Sequence, residues 1–362
     1  MIVLVVNMHA CVTYSHVGDW YLTIEPDPSM SVKIPFIVWQ SMLQSFFMGL
    51  LFFLAGYFAA GSLARRGPGG FARERLFRLG LPVLLYVLVI HPFILLGLNP
   101  WHHDFGPRPA WYGRYLLSGR FIGETGPLWF AVALLLFCLA LAGLARLRRP
   151  RLVVAAVVFP PSAGVLVVFG LLLGLGTFAV RLVQPIGTHV LNLQLCFFVE
   201  YIAWFIAGLH AARHGWLLAL ADSRRARVAG WIALIGGPLV LLGLLAVGMR
   251  SGTKEMFFGG WYGQAFGRAV WEQLTGLGLA LGSIALFSRR FDADRPAWRW
   301  LDDRSFGVYV LHTPVLIALT MLFRSLPYHL YGLVALLTVS GLVASYLVAD
   351  LARRIPGLRA IL

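Results

Sequence analysis

His9 stands in an otherwise apolar stretch that runs from Met1 to Tyr14. An ionisable side chain in hydrocarbon costs several kcal/mol unless it meets a partner or a polar cavity, which makes an intramembrane histidine a functional residue by default. Imidazole titrates near neutral pH, and the chemistry expected of it here is general base catalysis. Helical spacing (i, i+4, i+7) puts His9, Thr13 and His16 on one face. Two carboxylates also enter apolar segments, Glu200 about seven residues and Glu272 about six residues into their predicted helices. An acid level with the imidazole can orient the ring and stabilise its protonated form. Glu272 is the first choice for that role and Glu200 the second; the competing assignment pairs these acids with Arg181 or Arg268.

Ser305, Tyr309 and His312 share one face of a later helix, either as an interhelical hydrogen-bond seam or as part of a site. The trio His102-His103-Asp104 is a weak metal signal, and no metal is expected. His91, His189, His210, His214 and His329 fall near predicted helix ends, where histidine needs no site to explain it. Arg75 and Arg78 lie three residues apart, and on one helix face their guanidinium groups would suit phosphates; anchoring at the membrane surface explains them equally well. No phosphate loop, GxGxxG, HExxH or GxSxG motif is present.

The elements that must position these residues are membrane helices. Of 362 residues 59% are hydrophobic and only 12% charged, about half the charge of a soluble domain. The expected fold is all-α and polytopic, with residues 1–362 as a single membrane-embedded domain. Apolar windows predict about ten helices, near 1–15, 42–64, 77–98, 127–145, 155–180, 193–211, 229–249, 266–287, 306–323 and 330–352. Pro160 and Pro161 interrupt the fifth. The net charge of +15 comes from arginines between apolar runs, so it speaks for topology and not for nucleic acid. Alternate connections (65–78, 146–151, 213–227, 289–304 and the tail 353–359) hold 21 of the 30 basic residues, which predicts that both termini are cytoplasmic. The opposite loops, 16–41, 99–126 and 250–265, are rich in Trp, Tyr, Gly and Pro (Trp101, Trp111, Tyr112, Trp261, Tyr262), suited to interface anchoring or to stacking on a sugar ring. Cys11, Cys138 and Cys196 read as small core residues. No cleavable signal peptide is evident.

Five segments, in order and on the right helices, make the chain resemble the acyltransferase 3 family of integral membrane acyltransferases, and within it the branch of the periplasmic glucan succinyltransferase. They are His9–Ser15, Phe52–Phe58, the Arg75/Arg78 segment ending in Pro82, Gly126–Phe130 with Trp129, and Ser305–His312. The resemblance implies transfer of an acetyl or succinyl group from acyl-CoA, a cosubstrate and not a bound cofactor. The acceptor it implies is a hydroxyl of a cell-envelope carbohydrate or lipid-linked glycan, and the location a bacterial inner membrane. His9 would be the catalytic histidine and general base, with Arg75 and Arg78 holding the coenzyme A phosphates. Thr13, Tyr309, His312 and Trp129 would support the substrate or the site. The family also carries an arginine eleven residues before the histidine, a position that would precede Met1. The fourteen residues from Met1 to Tyr14 reach only about 21 Å against the roughly 30 Å of a bilayer core. Both observations lead to the expectation that the native first helix begins upstream. The alternatives are a multi-pass transporter or flippase, against which the lack of internal repeats counts, and a catalytically degenerate family member.

Overall fold

The computed structural model describes residues 1–98, 108–148, 161–291, 295–327 and 329–362. His102, His103, Asp104, Trp101 and the expected beginning of the fifth helix, with Pro160, lie outside the described residues. Helix α1 is Ile2–Ser15. A helical run Met30–Leu98 follows, broken at Gly67, where φ 66 and ψ 169 leave the helical region. The arm before the break (30–66) is α2 and the arm after it (68–98) α3. Then come α4 (Trp129–Arg148), α5 (Ala163–Arg181), α6 (Phe198–His214), α7 (Arg224–Gly248), α8 (Gly263–Arg290), α9 (Pro296–Phe323) and α10 (Leu330–Arg353). Eight helical runs among the described residues, Met30–Leu98 counted as one, are long and apolar enough to cross a bilayer; α1 is shorter. The protein is an all-α polytopic membrane protein.

Two expected boundaries move. The second helix begins at Met30, not near 42, so the loop before it shrinks to 16–29. Lys33, Pro35 and Gln40 read as loop residues, but the helix contains all three, and Lys33 and Gln40 make tertiary contacts from it. The Gln40 amide donates to the Val17 carbonyl (2.9 Å), and the Ser15 hydroxyl donates back to Gln40 (3.2 Å). Trp39 donates to Asn7 of α1 (2.7 Å). The ninth helix starts at Pro296, ten residues earlier than its apolar window, because proline at the first helical position gives up only an N–H that would have no helical partner there.

In a bilayer, helices associate by close packing, and small residues allow backbones to touch. α2 and α6 do this at Gly56 and Gly208: a Cβ on Gly56 would run into the Phe205 carbonyl, and one on Gly208 into the Phe53 carbonyl. The core around this crossing includes Phe52, Tyr201, Trp204 and Cys138, all buried.

α3 is the irregular helix. Three π turns, Leu76–Gly80, Tyr86–Ile90 and Ile94–Leu98, alternate with short α segments at Leu81–Leu85 and His91–Phe93, each carrying a proline. In the π turn Tyr86–Ile90 bonds reach five residues back, as from His91 N–H to the Tyr86 carbonyl, so Pro92, which has no N–H, leaves the Val87 carbonyl without its helical donor. The Tyr115 hydroxyl, from the short helix Arg108–Leu117, donates to that carbonyl (2.7 Å), and the Tyr112 hydroxyl donates to the Leu88 carbonyl (3.0 Å). Tyr115 is fully buried, so Tyr115→Phe is expected to lower stability by about 1–3 kcal/mol by stranding a buried carbonyl. Unfolding of the purified variant in detergent measures this, and a change indistinguishable from zero would refute it.

Candidate active site

His9 lies in the middle of α1 with one face of its ring covered. Trp20, from the 16–29 loop, stacks on one face at a centroid distance of 3.9 Å and an interplanar angle of 18°. His312 of α9 lies 5.3 Å away at 26° and only 6.3 Å from Trp20, which puts it beside the His9 ring and not on the face opposite Trp20; Tyr309 in turn lies 6.4 Å from His312 at 21°. Trp20, His9, His312 and Tyr309 thus form a ladder of rings that joins α1, the loop and α9. His312 is buried, and its Nδ1–H donates to the Tyr309 carbonyl (2.8 Å), which leaves its Nε2 as the lone-pair nitrogen with no hydrogen-bond partner. His9 is half-buried, and its Nδ1 is buried without a partner. With Trp20 closing one face and His312 flanking the ring, a substrate reaches this imidazole from a side that neither of them covers.

The ladder is anchored at its far end. The Tyr309 hydroxyl donates to the Pro127 carbonyl (2.6 Å) in the turn that opens α4. Asn192 donates from its amide to the Thr125 hydroxyl (2.9 Å) and to the Gly126 carbonyl (2.8 Å), holding the same turn. Gly126 has φ 49, and a Cβ there would fall 2.6 Å from the Tyr21 and Tyr86 hydroxyls, so only glycine fits.

The 16–29 loop is folded over His9 by several contacts. Thr13 spends its hydroxyl on the His9 carbonyl (2.9 Å), while its own carbonyl accepts from Ile24 N–H (3.0 Å). His16 caps α1 in a left-handed conformation; its Nε2 reaches the Ile24 carbonyl (3.0 Å) and its Nδ1 lies 3.6 Å from Asp27. Lys33 sits 2.5 Å from Asp27 and holds that carboxyl below its usual range. The Tyr21 hydroxyl meets His91 Nδ1 (2.7 Å) and the Tyr86 hydroxyl (3.1 Å), with Glu124 3.7 Å from the other His91 nitrogen. His91 is buried, which corrects the expectation that it is an end-of-helix histidine needing no explanation. The cost argument that singles out His9 applies equally inside the window 77–98. Trp20 and Tyr21 carry no such signal, since their contacts are made only by the folded loop.

The two acids lie elsewhere. Glu272 of α8 is ion-paired with Arg181 at 2.7 Å, both groups buried, and the Arg181 guanidinium stands over the Phe197 ring at 5.1 Å. Glu200 is in the first turn of α6, not seven residues in, because that helix begins at Phe198; it accepts from the Gln273 amide (3.0 Å). Trp129 stacks on Tyr201 at 5.7 Å, beside this second cluster and not on the ladder. None of the contacts among the described residues joins His9 to Glu272 or Glu200. The physical reason is that a guanidinium in hydrocarbon has a stronger claim on a carboxylate than a neutral imidazole does.

Arg75 and Arg78 point in different directions. Arg75 is half-buried with its guanidinium 5.1 Å from the buried Phe71 ring, and its Nε has no hydrogen-bond partner. Arg78 is exposed and faces Glu74 at 3.6 Å; Glu74 also takes Arg66 (3.1 Å) and the Ser62 hydroxyl (3.1 Å). The π turn that begins at Leu76 changes the angular step between the two arginines, so the shared face expected from α spacing is lost.

A membrane helix bundle thus clasps a histidine of its first helix and ties it, through Tyr309, to the turn at Pro127. The model of Acyl_transf_3, an acyltransferase domain, matches residues 1–354. The chain belongs to the acyltransferase 3 family. It is a membrane acyltransferase, and the match spans every element of the ladder, from His9 to His312. No curated protein and no solved structure shows significant similarity to the chain.

Proposed function

We propose that the protein moves an acetyl or succinyl group from acyl-CoA to a hydroxyl of a cell-envelope carbohydrate, with His9 as general base. The observation that carries this reading is the position of His9 inside the membrane bundle, under Trp20, beside His312 and without a side-chain hydrogen bond among the described residues, which supports a ring lone pair free for the acceptor hydroxyl. In the reaction, Nε2 takes the proton of the acceptor hydroxyl as its oxygen attacks the thioester carbonyl. The C–S bond breaks, coenzyme A leaves as thiolate, and the proton held on His9 returns to that sulfur. Thiolate is a good leaving group, so positioning and proton removal carry most of the acceleration. Arg75 and Arg78 are assigned to the donor: the exposed Arg78 meets phosphates at the arginine-rich surface, and the unpartnered Arg75 Nε supports a second contact deeper in. Glu272 and Glu200 are assigned to holding α5, α6 and α8 together. The bacterial inner membrane is the proposed location.

The test is transfer of label from radioactive acetyl-CoA and succinyl-CoA into the carbohydrate fraction of membranes containing the protein. Label in an alkali-labile ester is the expected result and names the donor. No incorporation from either donor, with the protein present in the membrane, would overturn the reading.

A further inference from the structure

A groove of about 1090 Å³ runs between α3 and α4, away from the His9 ladder. Arg66, Gly70, Arg73 and Glu74 line one end, and Phe121, Ile122, Thr125 and Leu191 are among the residues at the other. The walls between are aliphatic and aromatic, with Phe77, Leu84 and Leu136 each about half exposed along it. We infer that this groove binds one acyl chain of an anionic phospholipid, with the lipid phosphate between Arg66 and Arg73.

Three observations select that occupant. The arginine end has a surplus of positive charge: Glu74 is engaged by Arg66 and Arg78, whereas the exposed Arg73 has no ion-pair partner among the described residues. The aliphatic wall of α3 from Leu76 to Val87 covers twelve residues, about 16 Å from first to last at helical rise, close to half of the roughly 30 Å bilayer core. That is the reach of one lipid chain in one leaflet. Beyond the arginine end, Thr125 is the sole lining residue with a polar side chain, and Asn192 already engages its hydroxyl. The amide-bearing arm of coenzyme A would lose its hydrogen bonds against such walls, while a hydrocarbon chain loses none. The groove ends on the turn at Thr125, two residues from the Pro127 carbonyl that receives Tyr309. A chain seated in it therefore braces the turn that anchors the ladder, and this holds whatever the acyl donor and acceptor are.

The experiment measures lipid retained by the full-length purified protein after reconstitution into nanodiscs of mixed phosphatidylglycerol and phosphatidylcholine. Wild type is expected to retain phosphatidylglycerol selectively and to gain thermal stability from it. Arg66→Gln with Arg73→Gln is expected to reduce that retention by about tenfold. Leu136→Trp, which fills the groove without touching the arginines, is expected to reduce retention too. Equal retention of both lipids, or unchanged selectivity in the double variant, would overturn the inference. It fails equally if inorganic phosphate reproduces the stabilisation, since the headgroup charge alone would then suffice. Displacement of the lipid by acyl-CoA would overturn it as well, by assigning the groove to the donor.

Discussion

Replacing His9 by alanine lowers the turnover of acyl transfer by about 10³-fold, within the range contributed by a positioned general base, and leaves the protein folded. The expectation of a folded variant follows from what His9 does not do. It makes no side-chain hydrogen bond among the described residues, and its contacts are ring stacking with Trp20 and His312. Losing those two contacts removes about 1–3 kcal/mol of packing at most. An intramembrane histidine that held the bundle together would show the opposite profile, with lost stability accompanying lost activity. His9→Gln separates the two further: it keeps polarity and much of the volume but cannot take up a proton, and so is expected to be as inactive as the alanine variant. Thermal unfolding and turnover measured on the same preparations check both statements.

Arg181→Met destabilises the protein by about 3–5 kcal/mol, the usual consequence of leaving one member of a buried ion pair without its partner. Arg181 is fully buried, and Glu272, 2.7 Å away, would lose its ion pair in a low-dielectric interior and keep only the more distant influence of Arg268, one turn before it on α8. Replacing both residues, as Arg181→Met with Glu272→Leu, is expected to recover most of the lost stability, because an apolar pair of similar volume carries no desolvation penalty. The same double variant decides the role of Glu272. If it folds and transfers acyl groups at close to the wild-type rate, Glu272 serves the bundle and not the imidazole. If it folds but is inactive, Glu272 acts on the reaction through a contact absent from this structure. Denaturant unfolding of the two variants beside wild type supplies the comparison.

Some of this architecture is legible in the residues alone, and particular positions show why. His9 announces itself because charge in hydrocarbon is costly, and Tyr309 and His312 because a spacing of three keeps them on one face of a straight α-helix. Those arguments need no partner, and the ladder joins the same residues. Trp20 cannot be found in this way: it reaches His9 through a loop whose path depends on contacts at Ile24, His16 and Gln40. The shared face expected for Arg75 and Arg78 assumes α geometry, and the π turn at Leu76 removes that premise. The helix at Met30 is hidden by polar residues that face other helices instead of water. Glu272 has two physically sound partners by spacing, and only the fold shows that Arg181 is beside it.

Chemical rescue tests the assignment of His9 as the base. Alanine at position 9 leaves a gap of imidazole size under Trp20 and beside His312, so imidazole added to the purified His9→Ala protein is predicted to restore ester formation from acyl-CoA, rising with concentration to a plateau. Wild type should show no such dependence. Full transfer by His9→Ala with no imidazole present would contradict the assignment, because the base would then have to lie elsewhere.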